Sequence, residues 1–336
     1  MSKLRVGVIG YGQIGPVHLN ALQQMDDVEI AAVCDLVEAK AIAAQRRFGA
    51  ERYFTDYNAM LNWDWVDVIH VCIPTYLHAD ATIKAARAGK HVFCEKPMAM
   101  SLADAEKMIE ACDRAGVKLG LGFCRRFDSQ WLKFAEIVHS GVLGSPVVWR
   151  SVTAGEGAPT PWFFDREKGG GPFMDGAVHN YDFSRLLFGK VSQVKADMRR
   201  LRTGTTAMDT GTAILDYESG DQLVLSWSWG LPRGAWGAAL HDVIGSKGAL
   251  RFENPSKDPL VMDQTKRGAL FVSLPGGEIK TFQYERNNMY FDEIRYFIDC
   301  IKTGATPKVS GDNGFEALRI ALAVLEAGET GKVIRL

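Results

Sequence analysis

"GVIGYGQIGPVHLNAL" (residues 7–22) is an apolar run that stops at a glycine, breaks into G-x-G-x-x-G and resumes with helical periodicity. Tight strand-to-helix turns favour glycine on steric grounds alone, so the loop takes its meaning from its surroundings. Gly10, Gly12 and Gly15 follow a strand candidate and open a helix, which lets backbone N–H groups face a pyrophosphate with no Cβ in the way. Pro16 falls in the first helical turn, where its missing N–H costs little. A carboxylate that holds a ribose diol belongs about 20 residues further on. Asp35, in "AAVCDL", stands there at the end of the second strand candidate. An Asp at that point repels a 2′-phosphate and no Arg follows it immediately, so the spacing favours NAD over NADP. A flavin or nucleotide-sugar site on the same fold, or a loop with no ligand, are the competing readings.

The texture around this loop predicts the fold. Near-continuous apolar runs, "LRVGVI" (4–9), "VEIAAVC" (28–34), "VDVIHVCI" (66–73), "HVFCE" (91–95) and "KLGLGF" (118–123), alternate with helical segments at 39–48, 79–89 and 101–116. Strands covered on both faces read this way, and their alternation with helices predicts an N-terminal Rossmann, doubly wound parallel sheet over residues 1–123. After a bridging helix at 128–141 the strands come in hairpins, turning at Ser219-Gly220-Asp221 and at Pro275-Gly276-Gly277. Residues 124–336 therefore read as a C-terminal α+β domain with a predominantly antiparallel open sheet. Helices at 289–304 and 313–328 close the chain within that domain.

Composition narrows the function classes. The 336 residues are 47% apolar and 24% charged, with 39 Lys plus Arg against 40 Asp plus Glu. A nucleic-acid binder carries a basic stripe, whereas the Arg-Arg pairs at 46–47, 125–126 and 199–200 are isolated and read as solvated faces or local anchors. Six cysteines contain no C-x-x-C, and three of them sit in strand-like runs as small buried hydrophobes. Reduced thiols and the lack of a signal-like or membrane-spanning apolar segment predict a cytoplasmic protein.

Three stretches carry candidate chemistry. "HVFCEKPMAM" (91–100) places Glu95-Lys96-Pro97 at the carboxyl end of a parallel strand, the edge where such sheets hold ligands. A lysine there stabilises an alkoxide as it forms; in the plainer reading it only pairs with Glu95 or caps a loop. "GGGPFMDGAVHNYDFSRLLFG" (169–189) reads as a glycine loop, Pro172 at the first helical position, a helix, and Gly189 as its stop. Asp175, His179 and Asp182 then share one helix face, where an imidazole accepts a hydroxyl proton and a nearby carboxylate orients it. Surface ion pairing is the plainer account, and H-x-x-D without a third ligand argues against a metal. His78 in "PTYLHAD" follows a strand at the ligand-bearing edge, and "TPWFFD" (160–165) offers aromatic faces that either stack on a sugar or pack a core.

Gly10-Tyr-Gly12-Gln-Ile-Gly15, "AGKHVFCEKP" (88–97), "GFCRRFD" (122–128), Asp175-x-x-x-His179-x-x-Asp182 and the closing segment 310–336 together resemble the glucose–fructose oxidoreductase / inositol dehydrogenase (Gfo/Idh/MocA) family along essentially the whole chain. "FCEKP" with "GFCRRFDS" is similar to the inositol dehydrogenase branch, while the approach to Asp175 looks like the broader sugar dehydrogenases. The resemblance implies an NAD-dependent dehydrogenase that oxidises a secondary hydroxyl of a cyclic polyol or sugar. It implies Lys96, Asp175 and His179 as catalytic residues converging on one carbon, with His179 as general base. Cofactor contacts would come from Gly10, Gly12, Gln13, Ile14, Asp35, Ile73, Thr75, His78, Glu95, Lys96 and Arg125. Substrate contacts would come from Lys96, Arg126, Trp162, Asp175 and His179. A cis Lys96–Pro97 peptide and a homodimer or homotetramer are implied as well. A non-catalytic dinucleotide-binding sensor has no need of such a proton acceptor, and nucleotide-linked sugars or aromatic diols need a wider mouth around Trp162 to Arg166.

Overall fold

In the computed structural model, which describes residues 3–252 and 267–336, the opening run becomes β1 (Leu4–Ile9), and the helix after the glycines is α1 (Gly15–Leu22). The order continues β2 (Val28–Cys34), α2 (Glu38–Phe48), β3 (Arg52–Phe54), α3 (Tyr57–Leu61), β4 (Val68–Val71), α4 (His78–Arg87), β5 (His91–Cys94), α5 (Leu102–Ala115) and β6 (Leu119–Leu121). The six strands pair in the order β3-β2-β1-β4-β5-β6, all parallel. That is the Rossmann order, and it places the carboxyl ends of β1, β2, β4 and β5 along one edge. Two short elements, β3 and α3, add to the strands and helices read from the sequence. α5 shows why its ends were legible: the Ser101 hydroxyl accepts from the Asp104 N–H, and Gly116 closes the helix at φ 65°.

The remaining elements are α6 (Ser129–His139), β7 (Val147–Ala154), α7 (Val178–Phe188), β8 (Val191–Arg199), β9 (Thr210–Tyr217), β10 (Gln222–Ser228), β11 (Ala239–Gly245), β12 (Ala249–Phe252), β13 (Arg267–Ser273), β14 (Ile279–Glu285), α8 (Met289–Thr303), α9 (Gly311–Thr330) and β15 (Ile334–Arg335). Nine strands form a second sheet in the order β14-β13-β12-β11-β7-β10-β9-β8-β15, and only the β7–β10 pair is parallel. Both hairpins turn where glycine permits a positive φ, Gly220 at 87° in one and Gly276 and Gly277 at 79° and 82° in the other. β10 alternates strictly, burying Leu223, Leu225 and Trp227, as a strand with one covered face must.

The chain divides into two compact units, Met1–Cys124 with Met289–Leu318, and Arg125–Asn288 with Arg319–Leu336. Residues 289–318 therefore differ from the sequence reading, which kept them in the second domain. The reason is packing: Ile294, Phe297 and Ile298 of α8 join Val6, Val8, Leu19 and Phe93 in one buried cluster. Gly120 makes room for the Phe297 ring, since a Cβ there would lie 2.6 Å from it. Periodicity announces an apolar face without saying which sheet it covers. All six cysteines are buried, and none is in a disulfide. Among the described residues no helix is long and apolar enough to cross a membrane, and no three His, Cys, Asp or Glu side chains cluster as a metal requires.

Candidate active site

The glycine loop fits a dinucleotide through three different constraints. Gly10 has φ 98°, and a Cβ on it would run into the Cys72 carbonyl. A Cβ on Gly15 would strike the Gly10 carbonyl, so the helix starts hard against the loop. Gly12 faces open space with nothing within 4 Å of its missing Cβ, which leaves room for a bulky ligand against bare backbone. Gln13 and Ile14 lead from there into α1, exposed and half-buried respectively.

Asp35, just past β2, is tied to the same loop. Its Oδ2 accepts from the Tyr11 N–H at 2.9 Å and its Oδ1 from the Val37 N–H at 2.9 Å. A carboxylate has about four acceptor positions, so both oxygens keep capacity for a diol. The residues that follow, Leu36 and Val37, are 82% and 51% exposed and apolar.

At the next strand tips, Ile73 and Thr75 follow β4, half-buried and buried. His78, at the start of α4, is 1% exposed. Its Nδ1 lies 2.8 Å from the Pro97 carbonyl and its Nε2 2.8 Å from the Ile73 carbonyl. The ring thus binds the loop after β4 to the loop after β5. The Lys96–Pro97 peptide is cis. Glu95 is buried, and its carboxylate accepts from the Lys96 N–H at 3.2 Å and meets His18 Nε2 at 2.8 Å.

In the second unit the structure corrects the helix expected over 172–188. α7 begins only at Val178, with Ala177 as its cap. Residues 172–177 form turns, and the Ala177 N–H reaches five residues back to the Pro172 carbonyl, which breaks the regular ladder. Gly176 packs beneath Trp227, where a Cβ would lie 2.9 Å from the indole. Asp175 therefore lies in the turns and not on the helix, 8% exposed, while His179 is half-buried in the first turn of α7. Asp182, one turn further along α7, is paired with Arg126. Its oxygens take Arg126 in a bidentate pair, Nε to Oδ2 at 2.8 Å and Nη2 to Oδ1 at 2.6 Å, with side-chain exposures of 11% and 2%. Burial raises the Asp182 carboxyl above its ordinary value even though Arg126 pulls it down.

Arg125 donates to Asn180 Oδ1 at 2.9 Å and lies 4.2 Å over the Trp131 ring, while Asn180 donates onward to the Ser151 hydroxyl. Both arginines of the pair at 125–126 thus hold side chains of α7. Arg126, expected at the substrate, has its fork engaged in the protein. Trp162 is half-buried and stacked on Phe163 at 3.7 Å between ring centroids. Sequence reasoning missed the His18 and Glu95 contact, because its partners lie 77 residues apart and His18 sits in an apolar helix face.

Residues 4–123 match the model described as the GFO/IDH/MocA oxidoreductase family, NAD-binding Rossmann fold, and residues 131–251 match the GFO/IDH/MocA C-terminal domain. The chain is 33% identical to the myo-inositol 2-dehydrogenase of Thermotoga maritima over 99% of this chain and 98% of that one. It is 27% identical to the scyllo-inositol 2-dehydrogenase (NAD(+)) of Bacillus subtilis over 99% and 96% of the two chains. The crystal structure of the aldose-aldose oxidoreductase from Caulobacter crescentus superimposes with a TM-score of 0.85 at 27% identity, covering 99% of this chain and 100% of that one.

Proposed function

The chain belongs to the GFO/IDH/MocA oxidoreductase family, and from that premise we propose that it oxidises a secondary hydroxyl of a cyclic polyol or sugar, with NAD as cofactor. The glycine loop and Asp35 would hold NAD, and bound NAD supplies the hydride acceptor. The observation that carries the reading is one edge of the first sheet. There, a loop that only glycines allow is pinned to an acid after β2, and Lys96 stands at the tip of β5.

Each protein group then has a defined task. His179, in the first turn of α7, takes the hydroxyl proton near neutral pH. Lys96 donates to the substrate oxygen and stabilises the negative charge that develops on it. Asp175, held in the turns before α7, accepts from a neighbouring hydroxyl and fixes which carbon is presented. Inositol and aldose substrates suit this set, because each of the three groups addresses a hydroxyl.

The decisive experiment is NAD reduction by the purified protein across inositols, aldoses and glycosides, with NADP in parallel. Turnover with at least one cyclic polyol or sugar, faster with NAD than with NADP, is the expected result. A protein that binds NADH tightly and reduces NAD with none of them overturns the reading.

A further inference from the structure

The first unit buries more titratable chemistry than the proposed reaction uses. His18 on α1 and His70 on β4 are both fully buried, with their Nδ1 atoms 2.9 Å apart, and the His70 ring stacks on Phe93. His18 turns its other nitrogen to Glu95 Oε1 at 2.8 Å, and Glu95 Oε2 accepts from the Lys96 backbone N–H at 3.2 Å. The residue opposite is Gly122, where a Cβ would lie 2.9 Å from the carboxyl carbon and from both oxygens. The space is thus shaped to the acid.

A second acid, Glu293 of α8, is 1% exposed beside this group, and neither of its oxygens has a hydrogen-bond partner. Burial and the nearby Glu95 push Glu293 well above the ordinary carboxyl range. For Glu95, burial acts upward, but the His18 bond and the charges of His18 and Lys96 bring it below its ordinary value. Two carboxyls in one site separate in this way, one neutral and one ionised. Here Glu293 keeps its proton and Glu95 carries the charge.

We propose that the His18–Glu95 pair is the positioning device for Lys96. Two N–H donors, one from the imidazole and one from the Lys96 backbone, converge on the two oxygens of one group, and only a carboxylate accepts at both. His18 stands one turn from Gly15, so the pair links the start of α1 to the tip of β5. Loss of the pair removes no catalytic group but frees the backbone that sets where the Lys96 ammonium stands. The proposal rests on the reading of Lys96 as the group that stabilises the developing alkoxide.

The test uses the full-length protein and three variants, Glu95→Gln, His18→Leu and His18→Gln. Gln at 95 has one acceptor for two donors; Leu at 18 removes the donor and Gln restores one. NADH affinity, kcat and KM are measured with the best substrate of the panel, and deuterium exchange is followed at the Lys96 amide. Glu95→Gln and His18→Leu are expected to lose kcat by about 10- to 100-fold, and His18→Leu, outside the cofactor contacts, to bind NADH and substrate within about threefold of the parent. Exchange at Lys96 rises by about tenfold, and His18→Gln recovers most of both losses. Unchanged kcat and exchange in Glu95→Gln overturns the proposal. If Glu95→Gln fails to fold, the two His18 variants decide: equal losses in Leu and Gln assign a packing role and overturn it. An unaltered protein without turnover on any substrate counts against the functional reading alone, and the exchange measurement still decides whether the pair holds Lys96.

Discussion

Arg126 with Asp182 in the second unit, and Glu95 with Glu293 in the first, are both sets of buried charge-bearing side chains, yet they are held differently. The first set is a matched pair in which each carboxylate oxygen takes one donor from a guanidinium fork. The second brings two acids together with no cation forked between them, and one acid has no hydrogen bond at all. In the matched pair the guanidinium fork offsets part of the burial that raises the Asp182 carboxyl and ties two segments of backbone together. An unmatched buried acid is a standing cost, and in native structures such costs gather where chemistry is done. The imbalance beneath Lys96 therefore points the same way as the strand-edge location of that lysine.

This contrast is broken most severely by removing half of the matched pair. Asp182→Ala removes the carboxylate that takes the buried Arg126 fork, with an expected cost of about 3–5 kcal/mol. Thermal denaturation checks it; a variant as stable as the parent would mean the pair is solvated and the contrast false.

His179→Ala tests the same helix for chemistry instead of packing. With the proton acceptor gone, turnover is expected to fall by about 10²-fold or more while NADH affinity stays within a factor of about two. Lost NADH affinity with retained turnover would reverse the roles assigned to the two units.

How much of this the sequence discloses follows from the range of each interaction. β1, α1 and the ends of α5 were legible because their signals are local: a glycine spacing, a Ser cap, a Gly stop. The hairpins were legible because Gly220 and Gly276 sit where positive φ is needed. Asp175 was placed on a helix because its spacing to His179 suits one, while the displaced start of α7 depends on Trp227 packing over Gly176 from a distant strand. The side of the molecule that α8 covers, the Asp182 partner and the His18–Glu95 contact are likewise set by residues far away in the chain. Types of side chain were readable, and their partners were not.

Asp35 offers a smaller effect that sharpens the comparison, since this acid of the first unit is met by backbone donors alone among its described hydrogen bonds. Asp35→Ala removes the charge that opposes a 2′-phosphate and loosens the Tyr11 amide. The ratio of kcat/KM for NADP to that for NAD is expected to rise by about tenfold. A ratio that does not move would place the ribose contact elsewhere.

Glu293→Gln gives the smallest change and the opposite sign to Asp182→Ala. Burial, and after it the neighbouring Glu95, raise the folded-state pKa of Glu293 above its ordinary value. The unfolded chain therefore releases this proton at a lower pH than the folded one does. Between those two values the unfolded state gains relative to the folded state with each rise in pH, so stability present at acid pH is progressively lost. Gln has the shape of the neutral acid and does not ionise in either state, so the variant is free of that loss. Near pH 4 the two proteins should melt together, whereas near pH 8 the variant should melt higher by about 2 °C or more. Equal melting temperatures at both pH values would show that Glu293 ionises as readily when folded as when unfolded. The first unit would then hold its acids at no greater cost than the second, and the physical basis for singling out the ground beneath Lys96 would be gone.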